Sequence, residues 1–135
     1  MKTILFQIWQ ILWGFPQTLL GFIIYLIHRN EPHGVYRGCI VTHWNQTGSM
    51  GLGMFLFLGK NHNADTIVHE FGHSIQSMLL GPLFLPVMGI PSFIWCNLPC
   101  FRRMRKEQGV SYYTFYPEKS ADYLGSVVTK TTIQR

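Results

Sequence analysis

Charged residues are scarce in this chain of 135 residues: they make up 13% of it, against about a quarter of an ordinary soluble domain. Cysteines are also few; the three present are odd in number and lack the spacing of a paired metal motif, so we interpret them as small buried hydrophobic residues rather than as a disulfide framework. The sequence contains no internal repeat, no phosphate-binding glycine loop and no nucleophile elbow. The net charge of +5 comes partly from one cluster at 102–106, too local a patch to predict nucleic-acid binding.

Apolar residues are abundant, and two stretches concentrate them. Residues 3–27 are long enough to cross a hydrocarbon core of roughly 30 Å at about 1.5 Å per residue. We predict a retained transmembrane helix there rather than a cleaved signal peptide, because the apolar run is too long and no cleavage site follows it. Residues 82–101 are rich in proline and glycine, and we predict a re-entrant segment or a membrane hairpin that turns near 89–92 and returns to its starting face. The partner implied is a lipid bilayer.

The basic cluster at 102–106 adjoins the second apolar stretch. Basic residues next to hydrophobic segments favour the cytoplasmic face and anionic headgroups. We therefore expect an integral protein of a bacterial inner membrane with its functional site toward the cytoplasm.

Between the first apolar stretch and the centre of the chain, glycines alternate with β-branched and aromatic residues. Residues 35–44 and 49–58 are typical of two short strands joined by a turn at 45–48. We predict one β-hairpin over 34–58, and thus a single domain that is a mainly α membrane protein with a small β-hairpin.

The centre of the chain carries the pentad His69-Glu70-Phe71-Gly72-His73. Two histidines four residues apart project from one helical face and can bind one metal ion, while the glutamate between them can accept a proton from water. Apolar residues recur every four positions on another face, so we predict a helix over 64–80, capped by Asn63 or Asp65 and ended by glycine. The alternative is a polar helix face with two hydrogen-bonded histidines.

A second helix is predicted over 117–129, where proline begins the first turn and Glu118 and Asp122 share one side. Zinc needs a third protein ligand, and a histidine that binds metal usually donates its other ring proton to a carboxylate or carbonyl. This helix offers a carboxylate for each role. The alternative is a solvated helix start, where acidic residues interact favourably with the helix dipole.

The pentad followed by Glu-x-x-Ala-Asp resembles the gluzincin zinc metallopeptidases, the thermolysin-like and neprilysin-like group. The resemblance is confined to these two patches. It implies a Zn²⁺ ion bound by His69, His73 and Glu118, with Glu70 as general base and Asp122 as the partner of His69. The activity implied is that of a membrane-embedded zinc endopeptidase cleaving peptides or membrane proteins.

Three alternatives remain open. A site-2-like intramembrane protease would use Asp122 as third ligand in place of Glu118. A metal-binding membrane module or subunit would not hydrolyse anything, and another hydrolase would cleave lipid amides or esters. The sequence does not predict an oligomeric state.

Gluzincins also place a tyrosine or histidine beside the developing oxyanion and a strand edge above the zinc. The resemblance makes residues 49–58 the candidate strand. The candidate oxyanion donors in this chain are Tyr112, Tyr113, Tyr116, His43 and His62.

Overall fold

The computed structural model describes residues 2–46, 48–60 and 62–133, and these form a mainly helical fold with a small mixed sheet. The helices are α1 (Lys2–Leu12), α2 (Phe15–Ile27), α3 (Ala64–Leu80), α4 (Ile90–Asn97), α5 (Pro99–Gln108) and α6 (Tyr116–Thr129). The strands are β1 (His33–Tyr36), β2 (Cys39–His43), β3 (Met50–Leu52) and β4 (Phe55–Leu58).

The first apolar stretch is not the continuous helix predicted over 3–27, because α1 and α2 meet at a bend of 103°. The break falls at Gly14, where a Cβ atom would come within 2.7 Å of Ser77 Oγ and 2.9 Å of the Gln10 carbonyl oxygen. Pro16 lies in the first turn of α2, where its missing N–H is harmless. Among the helices described, none is by itself long and apolar enough to cross a membrane; α1 and α2 satisfy the length and composition requirement only as a bent pair.

The predicted single β-hairpin is also wrong, since each predicted strand folds into a hairpin of its own. Arg37 and Gly38 both have positive φ, 48° and 88°, as a two-residue turn between β1 and β2 requires. Gly53, with φ of 59°, begins the turn between β3 and β4. Strands β2 and β4 then pair in parallel, which gives the order β1-β2-β4-β3.

The sheet separates two hydrophobic clusters. On one face α3 packs with Phe71 and Ile75 on β2 and β4, and Phe6 of α1 adds to this cluster. On the other face Phe55 and Phe57 pack against α2. Both faces of the sheet are therefore covered by helices, with α3 forming the layer that carries the pentad.

The segment from 81 to 98 does not turn at 89–92 as predicted. A short 3-10 turn (Gly81–Leu83) and a π-helical turn (Leu85–Gly89) lead directly into α4, and the backbone at Gly89 and Ile90 stays right-handed helical. The helical path is interrupted at Leu98, which is extended because Pro99 follows it.

The cysteines follow the prediction only in part. Cys39 is fully buried in the core, whereas Cys96 and Cys100 are exposed. Both exposed cysteines lie on the outer sides of short surface helices.

Helix α3 makes its most extensive helix contact with α6, and small residues permit it. A Cβ atom on Gly72 would lie 1.9 Å from the Ala121 carbonyl oxygen, and one on Gly125 would lie 2.2 Å from the Val68 carbonyl oxygen. Only glycine allows these two backbones to come so close. The contact holds the side chains of the two helices in one compact site.

Candidate metal centre

Helix α3 spans the predicted residues and has a capping box at its start. The Asn63 side chain accepts from the Thr66 backbone N–H, and the Thr66 hydroxyl accepts from the Asn63 N–H. The helix ends at Gly81, whose positive φ of 59° suits a residue without a side chain. His69, Glu70 and His73 are all buried, at 3%, 5% and 6% exposure.

Helix α6 brings a third group to the two histidines. Glu118 lies one residue after Pro117 in the first turn and is only 1% exposed. Its Oε1 atom is 3.0 Å from His73 Nε2 and 3.5 Å from His69 Nε2. The ligand atoms of the three residues all lie within 4.8 Å of one another, so this buried group could hold a metal ion.

The other ring nitrogens have hydrogen-bond acceptors, which fixes the orientation of both rings. His69 Nδ1 lies 2.6 Å from a carboxylate oxygen of Asp122, and His73 Nδ1 lies 2.8 Å from Gln76 Oε1. The Gln76 amide donates its own N–H to the Pro117 carbonyl at 2.9 Å, so its oxygen must face His73. We therefore assign the Nδ1 proton to both histidines, which leaves the Nε2 lone pairs directed at Glu118.

Two lone pairs and a carboxylate that face one another need a positive charge between them. In the metal-free protein this charge is a proton: burial lowers the pKa of His69, but the hydrogen bonds to Asp122 and Glu118 outweigh burial and raise it to about 10. The pKa of His73 is raised in the same way, mainly by the Glu118 charge acting against burial. Burial would raise the pKa of Glu118, but the two histidines hold it well below its usual range. A divalent cation could take the same place among these three atoms, so the donor set suits a metal ion.

Glu70 differs from the other acidic residues of the site, because its Oε2 atom is buried without a hydrogen-bond partner. Burial raises the pKa of this carboxyl group, and the charges of His69 and His73 oppose that effect only in part. A buried carboxylate oxygen without a donor is costly unless a ligand or water serves it.

Two residues of the site were not assigned from the sequence. Gln76 stands three residues after His73 on the same polar face of α3, and that spacing was a usable signal. Ser92 of α4 donates toward both carboxylate oxygens of Glu118, at 3.0 Å and 2.8 Å, although nothing in the sequence relates the two positions. The Tyr112 side chain lies near Ser92, and burial raises the pKa of its phenol, so the phenol keeps its proton.

The five candidate oxyanion donors are placed differently. Tyr112 lies near Ser92 and Glu118, and the Tyr113 ring stands edge-on to the His69 ring at 5.1 Å. The Tyr116 hydroxyl donates instead to the Val87 carbonyl at 2.5 Å. The remaining two candidates, His43 and His62, contact each other with ring centroids 5.3 Å apart, and neither belongs to the described metal-binding group.

The geometry favours Glu118 over Asp122 as third ligand. Asp122 lies at His69 Nδ1, whereas Glu118 lies among the Nε2 atoms of both histidines. Of the candidate strand residues 49–58, β4 is interior to the sheet and β3 is an edge strand. Gly51 of β3 lies directly against α3, since a Cβ atom there would be 2.7 Å from the Glu70 carbonyl oxygen.

Comparisons of the chain with protein-family models, with curated proteins and with solved structures found no match.

Proposed function

We propose that this chain is a zinc-dependent metallopeptidase of the gluzincin type that hydrolyses peptides or membrane proteins at a membrane. The observation that supports it best is the combination of two histidine Nε2 atoms with Glu118 and a buried, unpartnered oxygen on Glu70. Two histidines and one glutamate are a ligand set of catalytic zinc sites, which keep a further position open. A site with only a structural role would not need a carboxylate between its histidines.

The chemistry follows from the roles of the side chains. A zinc ion bound there would supply Lewis acidity, polarising the scissile carbonyl and lowering the pKa of water. Glu70 Oε2 takes the proton from the attacking water and later gives it to the nitrogen of the leaving amine. Asp122 and Gln76 hold the two rings in the orientation that directs Nε2 to the centre of the site. Tyr112 and Tyr113 are the candidates for stabilising the oxyanion.

The position of β3 suits an extended peptide substrate. It is an edge strand of the described sheet, and it lies against α3 next to Glu70 and His73. Backbone groups at a sheet edge can pair with a peptide strand, whereas a lipid ester or amide offers no such pairing. This favours a peptide over a lipid substrate.

The experiment that tests the proposal compares zinc content and peptide hydrolysis in the wild type, Glu70→Gln and Glu31→Gln. Glu31→Gln is the matched control because it makes the same change outside the site. We expect about one zinc ion per chain in all three proteins, measured by elemental analysis. Cleavage of a quenched fluorescent peptide library should fall by roughly 10²- to 10⁴-fold in Glu70→Gln alone.

Other outcomes would replace the proposal. Zinc binding without hydrolysis by the wild type would indicate a metal-binding module. A wild type that binds no zinc would make the pentad a polar helix face.

A further inference from the structure

The surface of α4 and α5 combines exposed apolar side chains with a basic groove. Ile90, Phe93 and Leu98 are exposed on and just after α4, at 55%, 67% and 42%. The next helix, α5, is rich in basic residues. A cavity of about 860 Å³ is lined by residues of α5 and the following turn. Its lining residues are Arg102, Arg103, Arg105, Lys106, Glu107, Val110 and Tyr112. We call this the α5 groove.

The charge of the α5 groove is unbalanced. Four of its lining residues are cationic and only Glu107 is acidic. The Arg105 guanidinium already has partners within the protein. It donates to the Trp95 carbonyl, and it stacks on the Trp95 and Tyr112 rings at 4.7 Å and 5.3 Å. Arg102, Arg103 and Lys106 are exposed. Three cations are therefore available to an anionic partner.

The apolar side chains beside the groove indicate the kind of partner. Leu79, Leu83 and Val87, before and within the π-helical turn, are exposed as well. This part of the chain touches α1, since Trp9 donates to the Met78 carbonyl at 2.7 Å. Of the exposed large apolar side chains in the described part of the chain, more than half lie in residues 4–27. Exposed apolar surface of this extent marks an interaction site. Apolar side chains that adjoin exposed arginine and lysine residues match an anionic bilayer, with acyl chains against the first and headgroups against the second.

We propose that α4 and the α5 groove form a docking surface for an anionic lipid bilayer, with phosphate-bearing headgroups in the groove. The surface lies close to the metal centre, because Ser92 of α4 donates to Glu118 and Trp95 of the same helix donates to the carbonyl of Tyr112, which lines the groove. Docking there places the candidate metal centre at the headgroup level. The proposal does not depend on hydrolysis or on bound metal.

The test is cell-free synthesis of the full chain with vesicles, followed by flotation. Vesicles of phosphatidylcholine alone are compared with vesicles that also contain phosphatidylglycerol, at low and high salt. The groove variant carries Arg102→Gln, Arg103→Gln and Lys106→Gln, and the control carries Lys60→Gln, Lys119→Gln and Lys130→Gln. We expect binding to anionic vesicles to fall on the order of a hundredfold in the groove variant and to change little in the control.

A second pair of variants tests the contribution of the exposed apolar side chains of α4 to vesicle binding. Phe93→Ser should weaken vesicle binding about tenfold, whereas Val35→Ser on β1, where the side chain is 75% exposed against 67% for Phe93, should not. Equal binding by the groove variant and the wild type, or binding that ignores both salt and lipid charge, would overturn the proposal. So would a stable dimer that Phe93→Ser dissociates while vesicle binding is unchanged, because a second copy would then cover this surface.

Discussion

The contact between α3 and α6 makes Gly72 the residue most sensitive to a small change. In Gly72→Ala the new Cβ atom would start 1.9 Å from the Ala121 carbonyl oxygen and 2.8 Å from the Ala121 Cα atom. Both are backbone atoms, so no side chain can rotate away. A comfortable carbon to oxygen contact is about 3.3 Å, and the two helices must therefore separate by about 1.4 Å.

This displacement has two separate costs. Helix propensity alone would favour alanine over glycine by about 1 kcal/mol, but overpacking against backbone costs about 1–3 kcal/mol or more, so the clash decides the sign. Separation of the helices also moves Glu118 away from the histidines, whereas metal to ligand distances tolerate only about 0.2 Å. We expect a loss of stability together with a loss of metal affinity.

The assay is thermal unfolding with and without zinc, together with a zinc titration. For a chain of this length 1 kcal/mol corresponds to about 3–4 °C, so a net loss of up to about 2 kcal/mol should lower the melting temperature of Gly72→Ala by up to about 8 °C, and its zinc affinity should fall by at least about tenfold. Gly34→Ala is the matched control, since a Cβ atom on Gly34 meets nothing within 4 Å. A Gly72→Ala protein with the melting temperature and zinc affinity of the wild type would refute the close packing of these helices.

Three further predictions concern single groups. Ser92→Ala removes the donor to both oxygens of Glu118 and should weaken zinc binding about tenfold in a titration, with Ser92→Thr restoring most of it. Because the pKa of His69 is raised from 6.5 to about 10, protonated His69 stabilises the metal-free fold fully below pH 6.5, and this stabilisation is lost as the pH rises toward about 10. Chemical denaturation of the zinc-free protein should show this decline. The stabilisation by added zinc should grow over the same pH range. Burial raises the pKa of the Cys39 thiol to about 12, so N-ethylmaleimide should modify the two exposed cysteines of the native protein and reach Cys39 only after unfolding, as mass spectrometry would show.

The elements that carry the metal-binding residues could be predicted because their signals are local. Asn63 and Gly81 mark the ends of α3, and Pro117 marks the start of α6, each through its own backbone requirements. The histidines and carboxylates follow from spacing within one helix. What spacing cannot supply is the distance between helices, which depends here on Gly72 fitting against Ala121.

The sheet and the first helices were mispredicted for a related reason. The turns at Arg37-Gly38 and at Gly53 are too short to interrupt the apolar pattern on either side, so two strands appeared as one. Parallel pairing of β2 with β4 leaves no local signature. Gly14, at the bend, lies close to Ser77, which is more than sixty positions away in the chain. Ser92 was missed in the same way, because its role exists only when α4 lies beside α6.

Glu70 offers a test that separates a functional site from a structural ion cluster. With neutral histidines, three carboxylates leave this cluster strongly negative, and protons on His69 and His73 offset that charge around Glu118 and, in part, at Glu70. Glu70 Oε2 still has no donor. A buried charge without a donor costs about 1–3 kcal/mol, and Glu70→Gln removes the charge, so this variant should raise the melting temperature of the zinc-free protein by roughly 3–10 °C. Glu107→Gln, an exposed control, should leave it within about 2 °C. A cluster kept for stability would be weakened by the same change, so a lower melting temperature in Glu70→Gln would mean that the carboxylate serves the fold and not a reaction.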